Sequence, residues 1–245
     1  VSGTTDNEWT LQIIPIDARL KQESIVPGSM DSLNSHEKLW TDMEYMQLTF
    51  DRMKEMKDKG YIQDTFLSDS YADAQEALLT GTAAMYSQAT WIYAELTKLA
   101  ESQEELENIG FFPIPATEAK DSIAYTETPT GFVVPKEGKK VDLAVQIVGE
   151  LVTKEAMTEY YKMHQGIPAV NGVDVKLTSI PADVSALIEA GKTSTLPNTI
   201  YSTPSMASDV QAMLAGDKTP KDVLAGYDTD WDTYAKEAGN PDWGY

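Results

Sequence analysis

Residues 70–93, S-Y-A-D-A-Q-E-A-L-L-T-G-T-A-A-M-Y-S-Q-A-T-W-I-Y, constrain the fold more than any other stretch of the chain. Ser70 with Asp73 three residues on is a capping-box start, in which hydroxyl and carboxylate each take up a backbone N–H at the head of a helix. Ala74, Ala77 and Leu78 then share one helical face. Gly81 ends the helix, because a residue without Cβ enters the left-handed conformation readily. Ala83-Ala84-Met85-Tyr86 is apolar and too short for a second helix, which predicts a strand covered on both faces. The chain turns through Ser87-Gln88-Ala89-Thr90 and a new helix starts at Trp91. This order is that of an α/β fold, and the turn beyond the carboxyl end of such a strand is where open α/β sheets hold ligands. An indole and an amide placed there suit a small polar molecule with flat apolar faces, such as a sugar.

Further segments extend the pattern in chain order: Phe111-Phe112-Pro113-Ile114-Pro115, Pro129-Thr130-Gly131-Phe132-Val133-Val134-Pro135, Gly166-Ile167-Pro168-Ala169 and Thr219-Pro220-Lys221-Asp222-Val223-Leu224. Together with the Ala-Ala-Met run and the Trp after it, they resemble the extracellular solute-binding proteins of carbohydrate ABC importers, the maltose-binding-protein-like group. Asp142 to Val148 is similar to the helix that follows that family's Gly-led return strand, with Ile147 where the family carries Phe. The resemblance covers residues 70 to 225. It implies an α/β fold of the periplasmic-binding-protein type II, here mainly the C-terminal lobe, with a mixed sheet flanked by helices. Implied domains are residues 1–125 as the first part of that lobe, 126–175 as a return segment into the N-terminal lobe, and 176–245 as the last part. Little before residue 70 matches, so the expectation is a fragment lacking most of the N-terminal lobe. Such a fragment, deprived of one wall of its cleft, should bind ligand weakly.

Charge narrows the partners. Thirty-nine acidic against 19 basic residues give a formal charge of −20, which repels nucleic acid and anionic lipid. No cysteine is present, which removes disulfides, thiolate metal sites and cysteine nucleophiles together. No apolar run approaches the roughly 20 residues that span a bilayer. The resemblance implies an extracellular or periplasmic bacterial protein, in a Gram-positive organism a surface lipoprotein, whose signal and anchor lie outside this sequence.

Elsewhere the local reading is coarse. Trp9–Pro15 predicts a short strand or extended entry, and residues 18–34, with Gly, Pro, Ser and Asn, a loop. His36–Lys59 predicts the strongest helix, with Leu39, Met43, Met46, Phe50, Met53 and Met56 recurring at threes and fours as a core stripe, and Thr41 with Glu44 as an alternative start. Residues 109–114 and 132–134 predict strands, and residues 123–128 an extended crossing segment. Helices are expected over 141–151, 154–164 (capped by Thr153), 183–190, 205–215 and 220–224, with Trp231 and Tyr234 anchoring one more in the acidic tail.

Catalytic constellations are missing from the motifs: no G-x-S-x-G, P-loop or G-x-G-x-x-G occurs. The two histidines, His36 and His164, sit in helix-like contexts. Asp228-Thr229-Asp230-Trp231-Asp232 imitates a calcium loop but has Thr233 where glycine and Gly239 where a bidentate Glu are required. No catalytic residue, metal or cofactor is assigned. For sugar binding, Trp91 is the first platform, with ordinary packing beside Leu96 as the competing role. Gln88 and Thr90 lie in the turn and could reach hydroxyls or cap the next helix. Glu127, Thr130 and Gly131 stand where the chain should return to the first lobe, and a plain turn is the alternative there. Tyr201 follows Leu196-Pro197-Asn198, a run similar to the family's last stretch before its cleft aromatics. The implied function is capture of a sugar or oligosaccharide by a monomer and its delivery to ABC permease subunits. A glycan-processing enzyme using two carboxylates is the alternative, because spacing alone says nothing about which of the acids converge.

Overall fold

The computed structural model describes residue 3, residues 6–127 and residues 131–243. Along the chain run α1 (Ile13–Ile25), α2 (Ser29–Asn34), α3 (Glu44–Asp58), α4 (Tyr71–Leu79), α5 (Ile92–Leu99) and α6 (Gln103–Glu107). Then come β1 (Ala124–Thr126), α7 (Val141–Leu151), α8 (Lys154–Met163), α9 (Ser179–Glu189), β2 (Thr193–Thr195), α10 (Met206–Ala215) and α11 (Pro220–Glu237). They divide into two compact units. Val1–Ala89, Pro113–Thr126 and Lys192–Tyr245 form the first, and Thr90–Phe112 with Glu127–Gly191 the second.

The first unit is built on α1, α3, α10 and α11. Met46, Phe50 and Met53 of α3 meet Val210 and Met213 of α10 and Leu224, Tyr227 and Trp231 of α11 in one core. Trp40 stands edge-on to Tyr227 and Trp231, with centroids 5.7 and 5.5 Å away, the arrangement that sets a positive ring edge on a negative ring face. β1 and β2 pair in parallel, Ala124 opposite Thr193 and Thr126 opposite Thr195. A parallel pair requires a long crossover, and the intervening residues 127–191 supply it. The α/β class therefore stands, but in place of the expected mixed sheet the described residues form a two-stranded, purely parallel ladder among many helices.

Residues 9–34 depart from the expected strand and loop. A 3-10 turn, Glu8–Gln12, leads straight into α1, and α2 follows after a turn. Pro15 lies in the first turn of α1, where its missing N–H interrupts no intrahelical bond. The helix was hidden because its buried face is partly polar: Asp17, Lys21 and Gln22 are buried beside Ala18 and Leu20. Lys21 pairs with Asp17 one turn back, and Gln22 accepts the Tyr45 N–H at 2.8 Å while donating to the Ser29 hydroxyl at 3.0 Å. A face satisfied by hydrogen bonds leaves no apolar periodicity to read.

The Met stripe of α3 is core, but the helix proper begins at Glu44, preceded by a 3-10 turn over Trp40–Asp42. The capping boxes hold. Asp73 accepts the Ser70 N–H at 2.7 Å, Asp222 accepts the Thr219 N–H at 2.8 Å, and Gly81 has φ +73°. Instead of stopping near Leu224, α11 continues to Glu237 through Gly226. A Cβ at 226 would sit inside van der Waals contact of the buried Asp209 carboxylate and 3.3 Å from its Cγ, so close packing places a glycine within the helix.

The second unit holds α5 by Ile92, Tyr93 and Leu96. Ser179 Oγ lies 2.5 and 2.9 Å from the carbonyls of Leu106 and Ile109, and Asp183 accepts the Phe111 N–H at 2.8 Å. Helices α7 and α8 form where the sequence places them, with Thr153 capping α8, yet neither buries a single residue. The expected strands at 83–86, 109–114 and 132–134 are irregular backbone. Met85 is 71% and Val133 91% exposed. An apolar run becomes a strand only when a neighbour pairs with it, and among the described residues only β1 and β2 form a ladder.

Candidate functional site

Trp91 is the N-cap residue of α5 and is 47% exposed. Its helix packs through Ile92, Tyr93 and Leu96, so the indole is outside the face that holds the helix in place. Thr90 precedes it and is also exposed. Its carbonyl accepts the Tyr93 N–H at 3.1 Å, which begins the turn of α5. Glu127 and Gly131, likewise in the second unit, are exposed. Thr130 lies outside the described residues.

Gln88 belongs to the first unit, where its Nε2 donates to Tyr86 Oη at 3.2 Å. Tyr86 leans on Tyr71, with ring centroids 6.4 Å apart, and Tyr71 on Trp9 at 5.2 Å. The Asn7 side chain anchors this group by accepting the Tyr71 N–H at 2.9 Å. An amide beside three half-buried rings is a surface able to take a pyranose, whose C–H face lies on an aromatic ring and whose hydroxyls need planar donors and acceptors. The sequence pointed to Gln88 but not to Trp9 or Tyr71 beside it. Tyr71 meets Trp9 and Asn7 in space, yet Asn7 stands 64 residues away in sequence, and no motif joins them.

Tyr201 performs two roles. Its ring is stacked on Tyr234 and edge-on to Trp231 and Trp243, and Asn240 Nδ2 donates to its hydroxyl at 3.0 Å. It also lines a pocket of about 380 Å³ together with Gln12, Ile16, Arg19, Thr199, Ile200, Ser202, Thr203, Pro204 and Met206. Arg19 Nη1 donates to Thr199 Oγ1 at 3.5 Å. Burial pushes the Arg19 guanidinium below the usual arginine range, opposed by the nearby phenols of Tyr125 and Tyr227. Every pocket residue lies in the first unit.

The calcium-like run resolves into structural acceptors within α11. Asp228 takes the N–H groups of Trp40 and Thr41 at 2.6 and 3.3 Å, and Asp230 the Ser205 N–H at 3.0 Å. Asp232 takes the Trp243 indole N–H at 2.8 Å. His36 stacks on Trp243 at 4.0 Å, and His164 leans on Tyr160 at 4.9 Å. Among the described residues no three His, Cys, Asp or Glu side chains are grouped to hold a metal ion, and no helix is long and apolar enough to cross a membrane.

No curated protein matches the chain. Among solved structures, a chitin oligosaccharide binding protein matches with TM-score 0.73 at 19% identity, over 95% of this chain and 59% of that one. At that identity the likeness speaks for the fold, and the chain spans about three fifths of the other's length. The model of the bacterial extracellular solute-binding proteins matches residues 8–178, more than half of the chain. The protein therefore belongs to the bacterial extracellular solute-binding proteins, a family that binds its solutes rather than transforming them.

Proposed function

We propose that the whole protein is the substrate-binding component of an ABC importer, capturing a sugar or oligosaccharide between two lobes and handing it to membrane permease subunits. One observation carries the sugar reading: Trp91 offers a half-exposed indole at the head of α5 while Ile92, Tyr93 and Leu96 hold that helix. A half-exposed ring at the head of a helix is available as a stacking platform. Glycan chemistry also agrees with the amide of Gln88 beside Tyr86, and the fold is one that a chitin oligosaccharide binding protein shares. Lobe closure would store affinity in contacts made from both sides, and a monomer anchored to the cell surface or free in the periplasm suits that cycle.

The domain reading proposed with it assigns residues 126–175 to a return segment packed against the first lobe. Its support is α7, in which Leu143, Ile147 and Leu151, spaced four residues apart on one face, are all exposed. An apolar helix face of that extent calls for a covering surface. Calorimetry of the whole protein against neutral oligosaccharides, chitin oligomers among them, tests the function. Binding with a negative heat-capacity change and no release of reducing ends is expected. Absence of binding across the panel, or turnover of any glycan, would sink the proposal.

A further inference from the structure

We propose that the Arg19 pocket of the first unit is a carboxylate-binding site, independent of the sugar platform at Trp91. Acidic residues outnumber basic ones 39 to 19, so a guanidinium drawn out of water with no carboxylate against it needs a cause. Lys21, Lys54, Lys57, Lys59, Lys98, Lys162 and Lys218 all pair with carboxylates. Among the described residues Arg19 pairs with none. Its Nε is sealed from solvent and has no acceptor, and its one side-chain bond is the long one to Thr199.

Removing a guanidinium from water without a counter-charge is unfavourable. Its planar fork of donors matches a carboxylate in a two-point geometry that hydroxyls cannot supply. The neighbouring pocket residues complete the specification. Gln12, Thr199, Ser202 and Thr203 offer amide and hydroxyl groups, and Ile16 and Met206 an apolar floor. A compact acid bearing hydroxyl groups fits this lining, and about 380 Å³ holds one monosaccharide-sized molecule. The shared chemistry is a carboxylate beside hydroxyls, whether borne by a sugar as a uronic acid or by a free hydroxy acid.

Because every wall belongs to the first unit, the 245-residue chain itself is the test protein. Calorimetric titration with glucuronate, lactate and glucose separates the sources. Glucuronate alone binding assigns the carboxylate to a sugar, and lactate binding as well assigns the site to hydroxy acids generally. Arg19→Gln is expected to weaken binding about tenfold or more, since it removes charge-assisted bonds. Arg19 supports its surroundings, so Ser202→Asp serves as a second variant. Residue 202 is exposed, and a negative charge at the pocket mouth should weaken carboxylate binding about tenfold while leaving the melting temperature unchanged. Glucose binding as well as glucuronate, no carboxylate binding tighter than roughly 10 mM, or affinity indifferent to both substitutions would overturn the assignment. Trp91→Ala should leave carboxylate binding intact, so failure of the sugar proposal would register separately.

Discussion

Gly226→Ala sets two effects of known sign against each other. Within α11 the substitution relieves a glycine, and an interior helical position gains about 1 kcal/mol from that change. Against it stands the new Cβ, which would overlap Asp209 Oδ2 and lie 3.3 Å from Asp209 Cγ and 3.6 Å from Ser205 Oγ. Asp209 cannot swing away cheaply. It is 6% exposed and bound to Lys218, so displacement breaks a partly buried ion pair and strands a carboxylate. Parting a fully buried pair costs about 3–5 kcal/mol, and the half-exposed Lys218 brings this to the lower end. Net destabilisation should be about 1–3 kcal/mol. At roughly 2–4 °C per kcal/mol for a chain of this size, the first unit should melt about 2–12 °C lower by calorimetry. Adding Asp209→Ala to Gly226→Ala should cost less than the two single changes summed, because the overlap is then absent. A melting temperature equal to or above that of the unmodified chain would show that helix propensity wins and that the Gly226–Asp209 contact does not dictate the glycine.

Asp228→Ala should destabilise the first unit by about 2–4 kcal/mol in urea unfolding, since it leaves the Trp40 and Thr41 N–H groups without their acceptor. Hydrogen bonds from Ser70 hold the exposed Asp73 carboxyl below the usual range, and those from Thr219 do the same for Asp222. Their folded pKa values lie below the unfolded ones. The stability they contribute is thus present above about pH 4 and lost as pH falls through the depressed values. Carbon-13 titration should find both below ordinary aspartates, and Ser70→Ala should return Asp73 towards normal. Asp228 titrates in the opposite direction, raised by burial, so its contribution is lost as pH rises through its folded pKa. Ile147→Lys, on the exposed face of α7, should leave the melting temperature of this chain within about 1 °C. In the whole protein it should lower stability if the return segment packs as proposed.

Local grammar was legible where the sequence carries its own stop and start signals. The Ser70 and Thr219 capping boxes, the Thr153 cap and the Met stripe of α3 are decided by residues within a few positions of each other. What the sequence hid depends on distant partners. Helix α1 buries Asp17, Lys21 and Gln22, whose acceptors and donors lie on α1, α2 and α3, so its apolar pattern is broken by residues that are inside. Residues 83–86 and 132–134 have strand composition, yet a strand exists only with a paired neighbour, which composition cannot announce. Continuation of α11 past Gly226 follows from Asp209, 17 positions earlier on another helix. For the candidate site, the place of Trp91 at the head of α5 was legible because a helix start marks it. Arg19 was not, since the absence of a counter-ion is visible only in three dimensions.

The most direct test of the sugar-binding account is the affinity of the whole protein for its best oligosaccharide before and after Trp91→Ala, with melting temperature recorded alongside. Loss of a stacked indole should weaken binding by about 1–3 kcal/mol, roughly five- to 150-fold, with the melting temperature nearly unchanged because Ile92, Tyr93 and Leu96 still hold α5. Unaltered affinity with a lowered melting temperature would assign the indole to packing and remove the platform from the account.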